Sequence, residues 1–330
     1  MSNQLLEYIE IKDFKCFKDF NAKGFKRVNL IGGKNNVGKT AFMEACFSNI
    51  TSEDVASMFT SIVEINFMRE KLESVNEEYT VEQLTNFILN TKNYELKTNK
   101  NNTKFCVINE DGKLEYQFNI NDKIVLINAN NFSHRHIKFT NIKFIDNFGF
   151  TNHDLKEVYI AVQKKDKENT LYKYINEFDT NVLNFKIMGG ERPECKVISS
   201  NKYQSINEFG DGLKHYISII CSLYACENGY LFIDEIDNGI HYTQLDRLWE
   251  IILTISKEQN VQVFATTHSK ECIESYARVS KKLEEEQTID KDDVCFVELG
   301  KNKDNKLDSI VYNYDMIQSE IKQNHEIRGW

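Results

Sequence analysis

The chain has 330 residues, 41% of them apolar and 28% charged, which allows one large domain or two ordinary ones around a sizeable core. A formal net charge of −9 argues against a broad electrostatic grip on nucleic acid, which needs clustered Lys and Arg. No apolar run approaches the roughly eighteen residues of a membrane span, and Lys12, Asp13, Lys15 and Lys18 interrupt any leader-like start, so a cytoplasmic protein is expected.

Residues 5–31 read as two strands. The first carries Leu6, Tyr8, Ile9 and Ile11 into Phe14 and Phe17, and the second is Arg27–Ile31, running into glycines. Residues 40–48 predict a helix that opens on a glycine-rich turn. Two helical stripes follow, Val55, Met58, Phe59, Ile62, Val63 and Ile65, then Val81, Leu84, Phe87 and Ile88, and both read as core-facing. A hairpin is expected from Lys104–Asn109 and Lys113–Asn119 around Glu110-Asp111-Gly112. Residues 51–149 together read as an insertion, helical plus hairpin, within a head formed by 1–50 and 150–330.

Beyond it, helical patterns near 153–165 and 169–178 precede strand-like runs at Val182–Met188 and Lys196–Ser199. Leu213, Tyr216, Ile217, Ile220, Leu223 and Tyr224 mark a helix over 213–226. Apolar strands at Tyr230–Asp234 and Val261–Thr266 bracket a helix at 243–257. Further strands at Val294–Leu299 and Leu307–Tyr312 and a terminal helix complete the chain. Short apolar strands separated by helices imply an α/β fold with a parallel sheet covered on both faces. The eight cysteines show no CxxC pair and read as small buried hydrophobes, without a zinc site.

Gly33-Lys34-Asn35-Asn36-Val37-Gly38-Lys39-Thr40 fits GxxxxGK[ST], between a strand and a helix as a phosphate loop requires. Its backbone N–H groups and helix start would hold phosphates, Lys39 would bridge the β- and γ-phosphates, and Thr40 would offer its hydroxyl to Mg²⁺. Leu231–Glu235 is an apolar strand ending in two carboxylates. Asp234 would hold the Mg²⁺ shell, and Glu235 would orient and polarise the attacking water. A third strand ends at Thr266-Thr267-His268-Ser269, where His268 could sense a γ-phosphate. Asn207-Glu208-Phe209-Gly210-Asp211-Gly212 opens a helix and fits either an anion-binding turn or a plain N-cap turn. Serving the same γ-phosphate as the first loop, it would have to come from a second protomer.

With the strand at Ile9–Phe17, these segments taken in chain order resemble the ABC-type AAA ATPases of the RecF, structural-maintenance and overcoming-lysogenization-defect group. Ile9–Phe17 looks like that group's first strand, and Gly33–Thr40 like its phosphate loop. Phe209–Lys214 resembles its signature loop, Ile233–His241 its second carboxylate motif and D-loop, and Thr266–Ser269 its switch segment. The resemblance covers 1–50 and 180–280. It implies a P-loop ABC-type head, with a mixed or parallel sheet flanked by helices, using ATP and Mg²⁺. Such heads pair as a homodimer or higher homo-oligomer, each ATP held by Gly33–Thr40 of one protomer and by Asn207, Gly210 and Gly212 of the other.

Two departures stand out: no serine directly precedes Gly210, with Ser205 and Asn207 nearby instead, and no Q-loop glutamine is placed. Residues after Tyr276 contain no Asp-x-Asp strand end for catalytic metals, and 50–150 lack sustained heptads. The expected function is therefore an ATPase that controls a separate effector, with a Toprim-type nuclease in phage defence as the effector class. The alternative is a RecF-like clamp on DNA, and a transporter's nucleotide-binding subunit ranks last. His241 reads equally as a partner contact and as a helix-start residue.

Overall fold

The computed structural model describes residues 5–70, 91–110, 113–128, 137–147 and 149–323. The chain begins with β1 (Tyr8–Phe14), β2 (Phe17–Lys23) and β3 (Val28–Gly33), then α1 (Lys39–Thr51) and α2 (Val55–Glu70). Next come β4 (Tyr94–Thr98), β5 (Asn102–Glu110), β6 (Lys113–Ile120), β7 (Lys123–Asn128) and β8 (Ile142–Ile145). Helices α3 (Asn152–Lys164) and α4 (Glu168–Phe178) precede a meander of β9 (Val182–Met188), β10 (Arg192–Val197) and β11 (Lys202–Ser205). The rest is α5 (Asp211–Ala225), β12 (Tyr230–Ile233), α6 (Leu245–Glu258), β13 (Gln262–Thr266), α7 (Lys270–Glu285), β14 (Val294–Lys301), β15 (Leu307–Asn313) and α8 (Tyr314–Lys322).

Every residue of β3 is buried, so this strand must be covered on both faces. It lies inside a six-stranded sheet of order β15-β14-β3-β13-β12-β8. All of its pairings are parallel except β14 with β15. Alternate residues feed two cores: Val28 and Leu30 join one with α3, α5, α6 and α7, and Ile31 joins the other with α1, α2 and β1. Aromatic register pins the second face. Phe144, Phe232 and Phe264 are cross-strand partners and stack at 5.8 and 5.3 Å with planes 13° apart. Phe47 of α1 meets Phe144 and Phe232 edge-on at 5.8 Å. The buried rings of Phe47, Phe232 and Phe264 each contribute about 1.5–3 kcal/mol, enough to fix α1, and with it the phosphate loop, over the sheet.

The α/β class expected from the sequence is what the chain adopts, but the second face differs from the expectation. Helices alone do not cover it. A second six-stranded sheet, all antiparallel, in the order β2-β1-β4-β5-β6-β7, packs there beside α1 and α2. The single apolar strand read over residues 6–17 also folds back on itself. Asp13 and Lys15 take φ of 54° and 52°, and β1 pairs with β2 so that Phe14 faces Phe17. The hairpin of β5 and β6 pairs Glu110 with Lys113. Its turn at Asp111–Gly112, and the stripe Val81, Leu84, Phe87 and Ile88, lie outside the described residues. Strand β8 lies within 51–149 and pairs with β12 in the central sheet.

Gly212 in the first turn of α5 packs on the backbone of Gly239. A Cβ there would lie 2.0 Å from the Gly239 carbonyl oxygen, a clash that only backbone movement relieves. Gly212→Ala is therefore expected to lower stability by about 2–3 kcal/mol. A shift of the urea midpoint at unchanged slope would register it; an unchanged midpoint would mean that the two backbones do not meet.

Candidate functional site

Strand β3 delivers the chain into the loop 33–40 at the carboxyl edge of the central sheet. The loop turns through Asn36 at φ 61° and Gly38 at φ 98°. A Cβ on Gly38 would lie 2.7 Å from the Cys16 Sγ, so the β1–β2 hairpin tip fits against the loop only because glycine stands there. Gly38 is also the N-cap of α1 and makes no side-chain cap, leaving first-turn N–H groups for an anion. Val37 is buried in the core, while Lys34, Asn35 and Asn36 face solvent. Lys39 lies folded beneath the loop, its Nζ donating to the carbonyls of Gly33 at 2.9 Å and Lys34 at 3.1 Å. A lysine ammonium has three donors. Burial lowers the Lys39 pKa, opposed by the charges of Asp234, Glu235 and Asp237.

Strand β12 ends beside this loop. Thr40 Oγ1 donates to Asp234 Oδ2 at 2.9 Å, and Thr266 Oγ1 donates to Asp234 Oδ1 at 2.6 Å. Burial raises the Asp234 pKa and the Glu44 charge adds to it, against the two threonine hydrogen bonds. Glu44 is itself buried one turn beyond Thr40 and is paired with Lys15 at 2.7 Å. The hydroxyl of Thr40 and the carboxylate of Asp234 are hard oxygen donors of the kind that Mg²⁺ takes, so the sequence-derived pair fits that ion.

Glu235 adopts φ 50°, a strained conformation for a residue with a long side chain. It is held there from both sides. Its N–H donates to Thr266 Oγ1 at 2.8 Å, and the next N–H, of Ile236, donates to Thr266 O at 3.0 Å. The side chain points outward, with Oε1 3.9 Å from His268 Nδ1 and side-chain exposures of 40% and 51% respectively. The structure thus brings together Gly33–Thr40, Asp234, Glu235 and His268 along one sheet edge.

The turn at 207–212 divides. Asn207 and Gly210 face solvent, whereas Gly212 is buried beneath Gly239 of its own chain. Asn207 donates its backbone N–H to Ser205 Oγ at 3.4 Å, and Gly210, at φ 80°, is the N-cap of α5. His241 faces solvent, with Nδ1 2.9 Å from Thr243 Oγ1 and its ring 4.4 Å from that of Tyr242.

Residues 141–273 match the family described as the AAA ATPase domain. The chain is an ATPase. That match spans 207–212, 234–235 and 268, with the phosphate loop upstream of it. A protein named "ATP/GTP phosphatase" from Helicobacter pylori is 25% identical over 84% of this chain and 89% of its own length. Among solved structures, the head domain of SMC bound to the C-terminal winged-helix domain of ScpA aligns with 96% of this chain and 99% of that one, at 13% identity and TM-score 0.48. The SMC head domain from Thermotoga maritima aligns with 92% and 98%, at 13% identity and TM-score 0.45.

Sequence reasoning missed several supporting residues of the ATPase. Thr266 bridges Asp234 and Glu235, and the signal was present, since it ends the strand before His268. Thr267 donates to Asp237 at 2.7 Å. The carboxyl end of β8 brings Asp146 and Asn147 beside β12, where Asp234 N–H donates to Ile145 O at 2.8 Å and Asn238 Nδ2 to Asn147 O at 2.7 Å. His215 on α5 is buried, and its pKa is pushed down to about 4 by that burial, despite a hydrogen bond to Ile236 and the nearby Asp237 charge.

A histidine held neutral in this way makes stability depend on pH. Its folded pKa lies below the unfolded value of 6.5. Stability is therefore complete above about pH 6.5 and is lost as pH falls toward 4, by on the order of 3 kcal/mol. His215→Leu should remove that component of the difference between pH 7 and pH 4 in denaturant titrations. Equal pH slopes in the two proteins would count against a buried neutral imidazole.

Proposed function

We propose that this ATPase works as a pair of heads closed over ATP, and that hydrolysis switches a separate effector protein in the cytoplasm. The observation that carries the reading is the division of polar groups at the sheet edge. Thr40, Asp234 and Lys39 are satisfied within the chain, while Glu235, His268, Asn207 and Gly210 face outward. A second copy's α5 N-terminus supplies backbone donors for the γ-phosphate in that arrangement.

Within one head the division of labour follows from the contacts. Gly33–Thr40 wraps the phosphates with backbone N–H groups, and the Lys39 ammonium neutralises charge on the β- and γ-oxygens. Thr40 and Asp234 are the residues that would hold Mg²⁺, which when bound supplies charge neutralisation on the phosphates. Glu235 accepts the hydrogen bond of the attacking water and receives its proton as the water adds to the γ-phosphorus and the bond from that phosphorus to the β–γ bridging oxygen breaks, with ADP as the leaving group. His268 lies beside Glu235, where it would donate a hydrogen bond to the γ-phosphate.

The name of the Helicobacter pylori relative supports hydrolysis of a nucleoside triphosphate and makes GTP the second nucleotide to assay. The effector part of the reading comes from the resemblance to the overcoming-lysogenization-defect ATPases, with a Toprim-type nuclease as the expected class. We read 51–149 as the candidate docking segment for it. The DNA-clamp alternative has less support, because the net charge is −9 and Lys26, Arg27 and Lys165 are each paired with an acid. Lys26 meets Asp292 at 2.6 Å, Arg27 meets Asp293 at 3.2 Å and Lys165 meets Glu227 at 2.6 Å.

Light scattering on Glu235→Gln with ATP and Mg²⁺ tests the pairing. The expected mass doubles with ATP and reverts with ADP, and a mass that ignores nucleotide would remove the two-chain site.

A further inference from the structure

Thr267 lies one residue before His268, Asp237 lies two residues after Glu235, and a hydrogen bond joins them. The Thr267 hydroxyl donates to Asp237 Oδ1 at 2.7 Å and accepts the Ser269 N–H at 3.0 Å. His268 therefore sits on a turn whose two flanking residues meet at one hydroxyl. Thr267 is fully buried, and its own N–H donates to Ile31 O at 3.0 Å. Ser269 runs on into α7 as its N-cap, its Oγ accepting the Cys272 N–H at 3.1 Å. One step back along the chain, Thr266 holds Asp234, Glu235 and Ile236. The ends of β12 and β13 are thus tied twice: Thr266 fixes the Glu235 backbone, and the Thr267–Asp237 bond fixes the turn that carries His268.

We propose that Asp237 and Thr267 are a pair of positioning residues that holds the His268 turn at its distance from Glu235, 3.9 Å between Nδ1 and Oε1. A hydroxyl has one proton to give. With that proton on Asp237, the Thr267 lone pairs are left facing the Ser269 N–H. Asn238 and Gly239, which follow Asp237, are exposed, so this one side-chain bond joins an outward-facing segment to His268. The inference rests on Glu235 and His268 being the groups that face the γ-phosphate, and it adds the residues that set their spacing.

Amide hydrogen exchange of Ser269, with β14 as internal reference, tests the pair in the full chain beside ATP turnover. Asp237→Ala leaves the acceptor of the Ser269 N–H in place and removes only what orients it. Exchange should still rise by about 10-fold, the scale of one lost hydrogen bond. The kcat of Asp237→Ala and of Thr267→Val should each fall by at least about 10-fold at unchanged KM. The double variant should lose no more than about 3-fold beyond the worse single one, because both changes break the same bond. Asp237 also acts on the Lys39 ammonium through its charge. Asp237→Asn deletes that charge and keeps an acceptor, and Thr267→Ser keeps the hydroxyl, so both should stay within about 3-fold of wild type in kcat. Unchanged Ser269 exchange in Asp237→Ala overturns the proposal. So do multiplying losses in the double variant, conservative variants no better than the deletions, or faster exchange with unaltered kcat, which would mean a merely structural role. If Glu235→Gln turns over ATP at the wild-type rate, the assignment of Glu235 fails, while exchange in Asp237→Ala still decides whether the pair holds the turn.

Discussion

Glu235→Gln is expected to bind ATP with wild-type affinity and to hydrolyse it at least about 100-fold more slowly, the scale for losing a positioned base. The two side chains match in volume, and glutamine cannot take the proton of the attacking water. The conformation of position 235 survives the exchange because it is held by backbone bonds, from Glu235 N–H to Thr266 Oγ1 and from Ile236 N–H to Thr266 O. Binding groups are untouched, since Lys39 and the loop carbonyls form their own network. Equilibrium binding of a fluorescent ATP analogue beside phosphate release separates the two effects. Wild-type turnover in this variant would remove Glu235 from the mechanism and shift attention to His268, 3.9 Å away.

Lys39→Ala is expected to abolish nucleotide binding at working ATP concentrations. The ammonium is already desolvated beneath the loop, and burial has lowered its pKa, so a phosphate brings charge into a site with little water to screen it. Losing a charge-assisted contact of about 3 kcal/mol weakens affinity by a factor of about 100 or more. The same desolvation gives the wild type a signature: ATP affinity should fall as pH rises through the lowered lysine range, earlier than for an exposed lysine. Titration calorimetry across alkaline pH checks it, with a thermal melt of Lys39→Ala to establish that the variant is folded. An alanine variant that still binds ATP tightly would mean that backbone N–H groups suffice.

The chemistry-bearing segments were legible because each is local. A strand, a turn and a helix in sequence place Gly33–Thr40, and an apolar strand ending in carboxylates places Asp234 and Glu235. The antiparallel sheet was less legible. The pairing of β1 with β4 joins Ile9 to Thr98 across a long stretch of chain, and nothing local announces such a partner. The break at Lys15–Cys16 was hidden too, since apolar residues continue on both sides and no Gly or Pro marks the turn. Gly212 carried an ambiguous signal. An anion turn and a close backbone approach both ask for glycine, and its burial beneath Gly239 supports the second.

Steady-state phosphate release measured against protein concentration tests the central claim most directly. The account predicts ATP-dependent release whose rate per chain climbs with concentration as heads pair, and which disappears in Lys39→Ala. Release at a constant rate per chain would contradict the two-chain site, and absence of release at every concentration would contradict the hydrolytic assignment itself.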